Sequence, residues 1–221
     1  MKKDIIYKYD KYDIEKSWLV RGAKFDNDIP IIETATDMPT ALLPFSKCNS
    51  ATDFSNWVHF YEPDCNFVRL LRNPLKYVGC LKRFGGIISP DFSICPDDPL
   101  PLQIINKYWN HALAYWLSTQ GIPVIPNVRW GDERSFDFCF NGIEKNSIVA
   151  VGTHGQMKSN VDKNLFLDGL SIMVEKLSPH TIIVYGKAPD DVFGQYKDAG
   201  IRIIQFPSAT EQYYNHRKDV A

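Results

Sequence analysis

Between residues 85 and 207, short apolar runs rich in β-branched residues alternate with segments whose apolar residues recur every three or four positions. No other feature constrains the fold so strongly. Strands separated by single helices are most simply parallel neighbours joined by right-handed crossovers. The expected class is α/β, built from successive βα units around a mainly parallel sheet. Either an open sheet or an incomplete or distorted TIM-like barrel would fit the alternation.

The strongest helix expectation follows Asp97-Asp98-Pro99, where a carboxylate suits the cap and proline the first turn. Leu102, Ile105, Tyr108, Trp109, Ala112, Leu113, Trp116 and Leu117 then fall on one helical face, and Gly121 ends the segment. Residues 124–130 read as a strand, as do 147–151 and 181–185, whose nearly continuous apolar character suits strands covered on both faces. Helices are expected over 160–177 and 190–199, with a last strand over 201–206. Upstream the signals are less regular: a strand over 56–61, a helical turn around 65–71, apolar runs at 77–81 and 86–89, and a weak strand at Ile29-Pro30-Ile31-Ile32. The runs beginning at Ile29, Asn56 and Tyr77 would supply the further strands that a barrel needs.

A chain of 221 residues can bury a substantial core, and its 44% hydrophobic and 23% charged residues argue against a disordered or fibrous chain. The organisation expected is an N-terminal arm over 1–27, a single α/β domain over 28–207 and a C-terminal tail over 208–221. A net charge of −1 provides no overall attraction to nucleic acid or an anionic membrane. Met1-Lys2-Lys3-Asp4 leads into polar sequence, so neither a secretory signal nor a membrane anchor is expected, and a cytoplasmic location follows. The five cysteines are scattered without a CxxC pair, which favours reduced thiols over disulfides or zinc. No metal site or cofactor is assigned.

Gly85-Gly86-Ile87-Ile88-Ser89-Pro90-Asp91-Phe92-Ser93 is followed by Ile125-Pro126-Asn127-Val128-Arg129-Trp130-Gly131, then Phe136-Asp137-Phe138 and Val149-Ala150-Val151-Gly152-Thr153. In this order the segments resemble domain-of-unknown-function family 4417, over roughly residues 28–186. The resemblance implies a bacterial, phage or mobile-element setting. It carries over no catalytic residues.

Ligands of parallel α/β folds gather beyond the carboxyl ends of strands, here marked by Asp91, by Asn127, Arg129 and Trp130, by Thr153 and His154, and by Tyr185. Asp91 and His154 are the candidate proton-transfer groups, and Asn127, Arg129, Trp130, Thr153 and Tyr185 the candidate ligand contacts. Arg129 suits a phosphate or carboxylate, while Trp130 suits stacking on a base or sugar. Each has a plainer role as well. Asp91 can bind turn amides, Asp132, Glu133 and Asp137 can hold Arg129 or Arg134 in a folded loop, and Gly152-Thr153-His154-Gly155 can be an ordinary tight connection. His111 is expected at the surface or as a satisfied packing residue, and Trp109 and Trp116 as core. Two functions fit: binding or processing of a phosphate-containing ligand, such as a nucleotide or nucleic-acid end, and non-enzymatic interaction with a host or phage protein.

Overall fold

The computed structural model describes residues 16–156 and 159–219, with side chains to residue 214. Seven parallel strands follow one another in chain order: β3 (Leu42–Pro44), β4 (Trp57–His59), β5 (Gly86–Ile88), β6 (Val124–Ile125), β7 (Ile148–Gly152), β8 (Thr181–Tyr185) and β9 (Arg202–Phe206). The first four and last three form separate ladders. A parallel bridge between Asn127 and Ala150 joins them, with Val128 N donating to Ala150 O and Ala150 N to Pro126 O. Upstream, β1 (Phe25–Asp26) and β2 (Ile29–Pro30) form a small antiparallel pair.

The helices are α1 (Asp64–Arg72), α2 (Pro74–Leu81), α3 (Leu100–Thr119), α4 (Asn160–Leu177), α5 (Asp190–Asp198) and α6 (Ala209–Asp219). None among the described residues is long and apolar enough to cross a membrane. Strands taken in chain order through right-handed crossovers place their helices on one face. Two apolar layers cover that face, one built around Phe60, Phe67 and Leu113 and the other around Phe166, Leu170 and Val184. Alternate strand residues Trp57, Ile88, Ile125, Ile148, Ala150 and Ile183 form a third cluster on the opposite face.

This second face exists because the sheet curls. In a flat sheet β4 and β8 would lie about 19 Å apart, four strand spacings. Instead the His59 ring on β4 sits 4.5 Å from the Tyr185 ring on β8, centroid to centroid. No ladder joins β9 to β3 among the described residues, so the observed form is an open, curled sheet.

Helix α4 and strand β8 have the expected bounds, while the strand expected over 124–130 is regular only at Val124–Ile125. Residues 77–81 are helical instead of extended: Pro74 starts α2, and its buried residues Pro74, Tyr77 and Leu81 follow helical spacing. The strand β3 was not legible. Asp97 and Asp98 do not cap α3; Pro99 occupies that position without a side-chain cap. Residues 209–219 extend the fold as a helix, started by Ser208, whose hydroxyl accepts from Glu211 N while Glu211 accepts from Ser208 N. Residues 1–15 of the expected arm lie outside the described residues; Leu19 and Trp18 after them pack on the core, Trp18 edge-on to Trp116.

The first half of α3 reverses the expected amphipathicity. Leu102, Ile104 and Ile105 are exposed, whereas Gln103, Lys107, Asn110 and His111 are buried. That inward face meets loop backbone, and its polar groups satisfy it: Asn110 accepts from Phe92 N and donates to Phe92 O, and Lys107 donates to Cys139 O. His111 contacts Lys107 Nζ at 2.6 Å and Pro30 O at 3.0 Å, which makes it a satisfied packing residue and not the surface residue that was the other expectation. The expected apolar face meets the core from Tyr108 and Trp109, which pack against it half-buried, and is buried from Ala112 to Leu117 apart from the half-buried Tyr115.

Candidate functional site

The carboxyl ends of β4 to β9 open onto a cavity of about 420 Å³. Parallel strands direct their C-terminal loops to one rim, and the curl brings those loops together. Asp91 follows β5, Asn127 and Arg129 follow β6, His154 follows β7, and Tyr185 ends β8; all line the cavity.

At its floor a chain of side-chain contacts crosses three loops. The Tyr61 hydroxyl donates to Asn127 Oδ1 at 2.8 Å, and Asn127 Nδ2 donates to Asp91 Oδ1 at 2.7 Å. Arg129 Nη1 donates to Asp91 Oδ2 at 2.9 Å. Asn127 is set by its own backbone, whose N–H donates to the Ser89 hydroxyl at the end of β5. Asp91 therefore binds these side chains instead of the turn amides considered from sequence. Of the two arginines expected as partners of Asp132, it is Arg134 that pairs with it, at 2.6 Å.

Burial pushes the Asp91 carboxyl up to about 6, against the opposing pull of Arg129 and the hydrogen bond from Asn127. It also pushes the Tyr61 hydroxyl well above its ordinary range, and the Asp91 charge adds to that shift. For Arg129, burial works against the charge, but Asp91 and Cys95 outweigh it and hold the guanidinium above its ordinary value. The pair is thus a charged one through neutral pH, with an acid that gains its proton unusually easily.

Arg129 is only partly used. A guanidinium carries five N–H donors. Among the described residues Asp91 takes one through Nη1, while Nε is buried without a partner and the side chain remains 23% exposed. The Tyr185 hydroxyl accepts from Ala209 N, which leaves its own hydrogen unspent among the described residues. Tyr185 stacks on Tyr61 at 4.7 Å and 12°. His154 stands exposed at the rim.

The other two sequence candidates are structural in their contacts. Trp130 reaches the cavity but is 6% exposed; its indole N–H donates to Leu165 O and its ring packs on Phe166. Gly169 makes this possible, since a Cβ there would run into the indole. Thr153 is buried away from the cavity wall and donates to Lys187 O at 2.8 Å, tying the loop after β7 to that after β8. The groups missed in the sequence are Tyr61 and Glu62 after β4, Phe166 on α4, and Ala209 and Thr210 at the start of α6. Tyr61 closes the strand expected over 56–61, so the strand-end rule already pointed to it.

Residues 23–207 match the family described as Domain of unknown function (DUF4417). The chain is 35% identical over 131 residues to the Gene 1 protein of Mycobacterium phage L5, covering 59% of this chain and 57% of that one. It is 29% identical over 181 residues to the Gene 1 protein of Mycobacterium phage D29, covering 80% of this chain and 67% of that one. The match thus spans little more than half of the L5 relative's length. No solved structure matches the chain.

Proposed function

The chain belongs to the DUF4417 family, a domain of unknown function, and from its strand-end cavity we propose that it binds a small phosphate-containing ligand, a nucleotide or the end of a nucleic-acid strand. The observation that carries this reading is the unspent donor capacity of Arg129, which faces a cavity of about 420 Å³. Guanidinium donors left free at a cavity wall suit a ligand with acceptor oxygens. Phe166 and the stacked Tyr61–Tyr185 pair supply an aromatic side suited to a base or sugar. Asp91 and His154 are the groups placed to accept or deliver a proton if the ligand is turned over. Five free thiols and a nucleotide-type ligand both suit the cytoplasm.

A thermal-shift series with nucleoside monophosphates and short oligonucleotides tests the reading. Saturable stabilisation of the wild type that Arg129→Ala removes is the expected result. Absence of saturable binding across the series would sink it.

A second reading, docking to a host or phage protein, draws on the exposed Leu102, Ile104 and Ile105 on α3. It predicts that the double variant Leu102→Glu, Ile105→Glu loses a partner captured from bacterial lysate, while Arg129→Ala keeps it. Equal capture by wild type and double variant would remove this surface from consideration.

A further inference from the structure

We propose that the cavity takes up an oxyanion together with one proton, held between the ligand and Asp91, so that hydrogen phosphate is preferred over fully ionised sulfate and a phosphate monoester binds best at or below its second ionisation, at about pH 6. The inference rests on the phosphate reading above and assigns Asp91 as the residue that sets the ligand class.

Arg129 Nη1 and Asp91 Oδ2 are 2.9 Å apart, and both residues line the cavity. An oxyanion that reaches the unused guanidinium donors therefore comes up against the Asp91 carboxylate. Two anionic oxygens in contact in a poorly solvated site repel strongly unless a proton lies between them. Each Asp91 oxygen accepts one side-chain hydrogen bond, which leaves each able to accept a ligand O–H.

The surrounding charges make this sharing necessary. Arg129 is the one guanidinium or ammonium among the described residues that line the cavity, and Asp91 already pairs with it. From α1 and the turn before it, Asp64 and Glu62 add negative charge; Asp64 is occupied by the Ser93 hydroxyl and N–H. From the loop after β5, Cys95 also acts on Arg129 through its charge. Tyr61 spends its hydrogen on Asn127, so it cannot neutralise the ligand; the Tyr185 hydroxyl, which burial pushes above its ordinary range, and His154 are the other titratable groups among the described residues that line the cavity. Hydrogen phosphate brings a proton at neutral pH. Sulfate brings none, so Asp91 must take one from solvent, a step made accessible by the upward shift of its carboxyl to about 6.

Calorimetric titration with inorganic phosphate and with sulfate, at pH 5.5 and pH 8 and in two buffers of different ionisation enthalpy, tests the inference. Sulfate affinity should fall roughly tenfold per pH unit above the Asp91 titration, with uptake of about one proton per sulfate at pH 8. Phosphate should lose less, leaving a preference for it of about tenfold at pH 8 and little preference at pH 5.5. Asp91→Asn should abolish the preference and the fall of sulfate affinity with pH. His154→Gln decides between the two proton-bearing groups: a change in affinity shared equally by both anions leaves the role of Asp91 standing, and loss of the preference would assign the proton to the imidazole and overturn that role. Should Asp91→Asn not fold, the proton count in the wild type decides, and sulfate binding without proton uptake overturns the proposal. Equal binding of both anions at pH 8, removed by Arg129→Ala, would refute proton sharing but leave the anion site standing. If neither anion binds at either pH and nucleoside monophosphates also fail, the phosphate reading falls with it.

Discussion

At the scale of single residues, the protein gives a buried ionisable group hydrogen-bond partners and leaves the guanidinium at the cavity underused. Lys107 shows the first half of this. Burial pulls its ammonium down to about 7, with Cys139 and Asp26 pulling weakly the other way. Between that value and the ordinary lysine range the unfolded chain holds more protons than the folded one, so stability contributed at this site rises with pH across the window. In urea melts at pH 7, 8 and 9, the wild type should therefore gain stability with pH relative to Lys107→Met. A constant difference between the two proteins would mean that Lys107 stays charged in the fold. The site residues were partly legible in the sequence. Strand ends pointed to Asp91, Asn127, Arg129, His154 and Tyr185, which all line the cavity. That Arg129 pairs with Asp91, 38 residues away, instead of a nearby acid could not be read from spacing, because the contact is made by adjacent strand ends of the folded sheet.

At the scale of elements, α3 is the instructive case. Its periodicity predicts a helix, and a helix forms over Leu100–Thr119. Its burial is another matter, since the first half packs on loops whose buried backbone groups need partners more than apolar cover. Asn110→Ala should accordingly cost about 2 kcal/mol, because both buried Phe92 backbone groups lose their partner. Leu102→Ser, an apolar loss on the outward face, should stay within about 0.5 kcal/mol. Chemical denaturation of the two variants checks this; the opposite ranking would place the core on the Leu102 side. Strands β7 and β8 were legible because both faces are covered, giving runs of apolar residues. Short β3 and helical 77–81 were not, since a three-residue strand has no period and a single turn or two of helix shares its apolar content with a strand.

At the scale of the whole molecule, the cavity is a product of curvature. Each strand end contributes only one or two side chains, and in a flat sheet Tyr61 and Tyr185 would lie far apart instead of stacking. Local sequence encodes the strands, their order and their helices, but curl arises from twist summed over seven strands and from the packing of both faces. Hence the class of fold and the rim were readable, while convergence at one cavity was not. On the proposed function, this rim receives a phosphate-containing ligand. The most direct measurement is a map of backbone amide NMR shifts during titration with a nucleoside monophosphate. Shifts should saturate and cluster at Tyr61, Asp91, Asn127, Arg129, His154 and Thr210. Saturating shifts centred elsewhere, such as on Leu102 to Ile105, or no saturating shifts at all, would contradict the account.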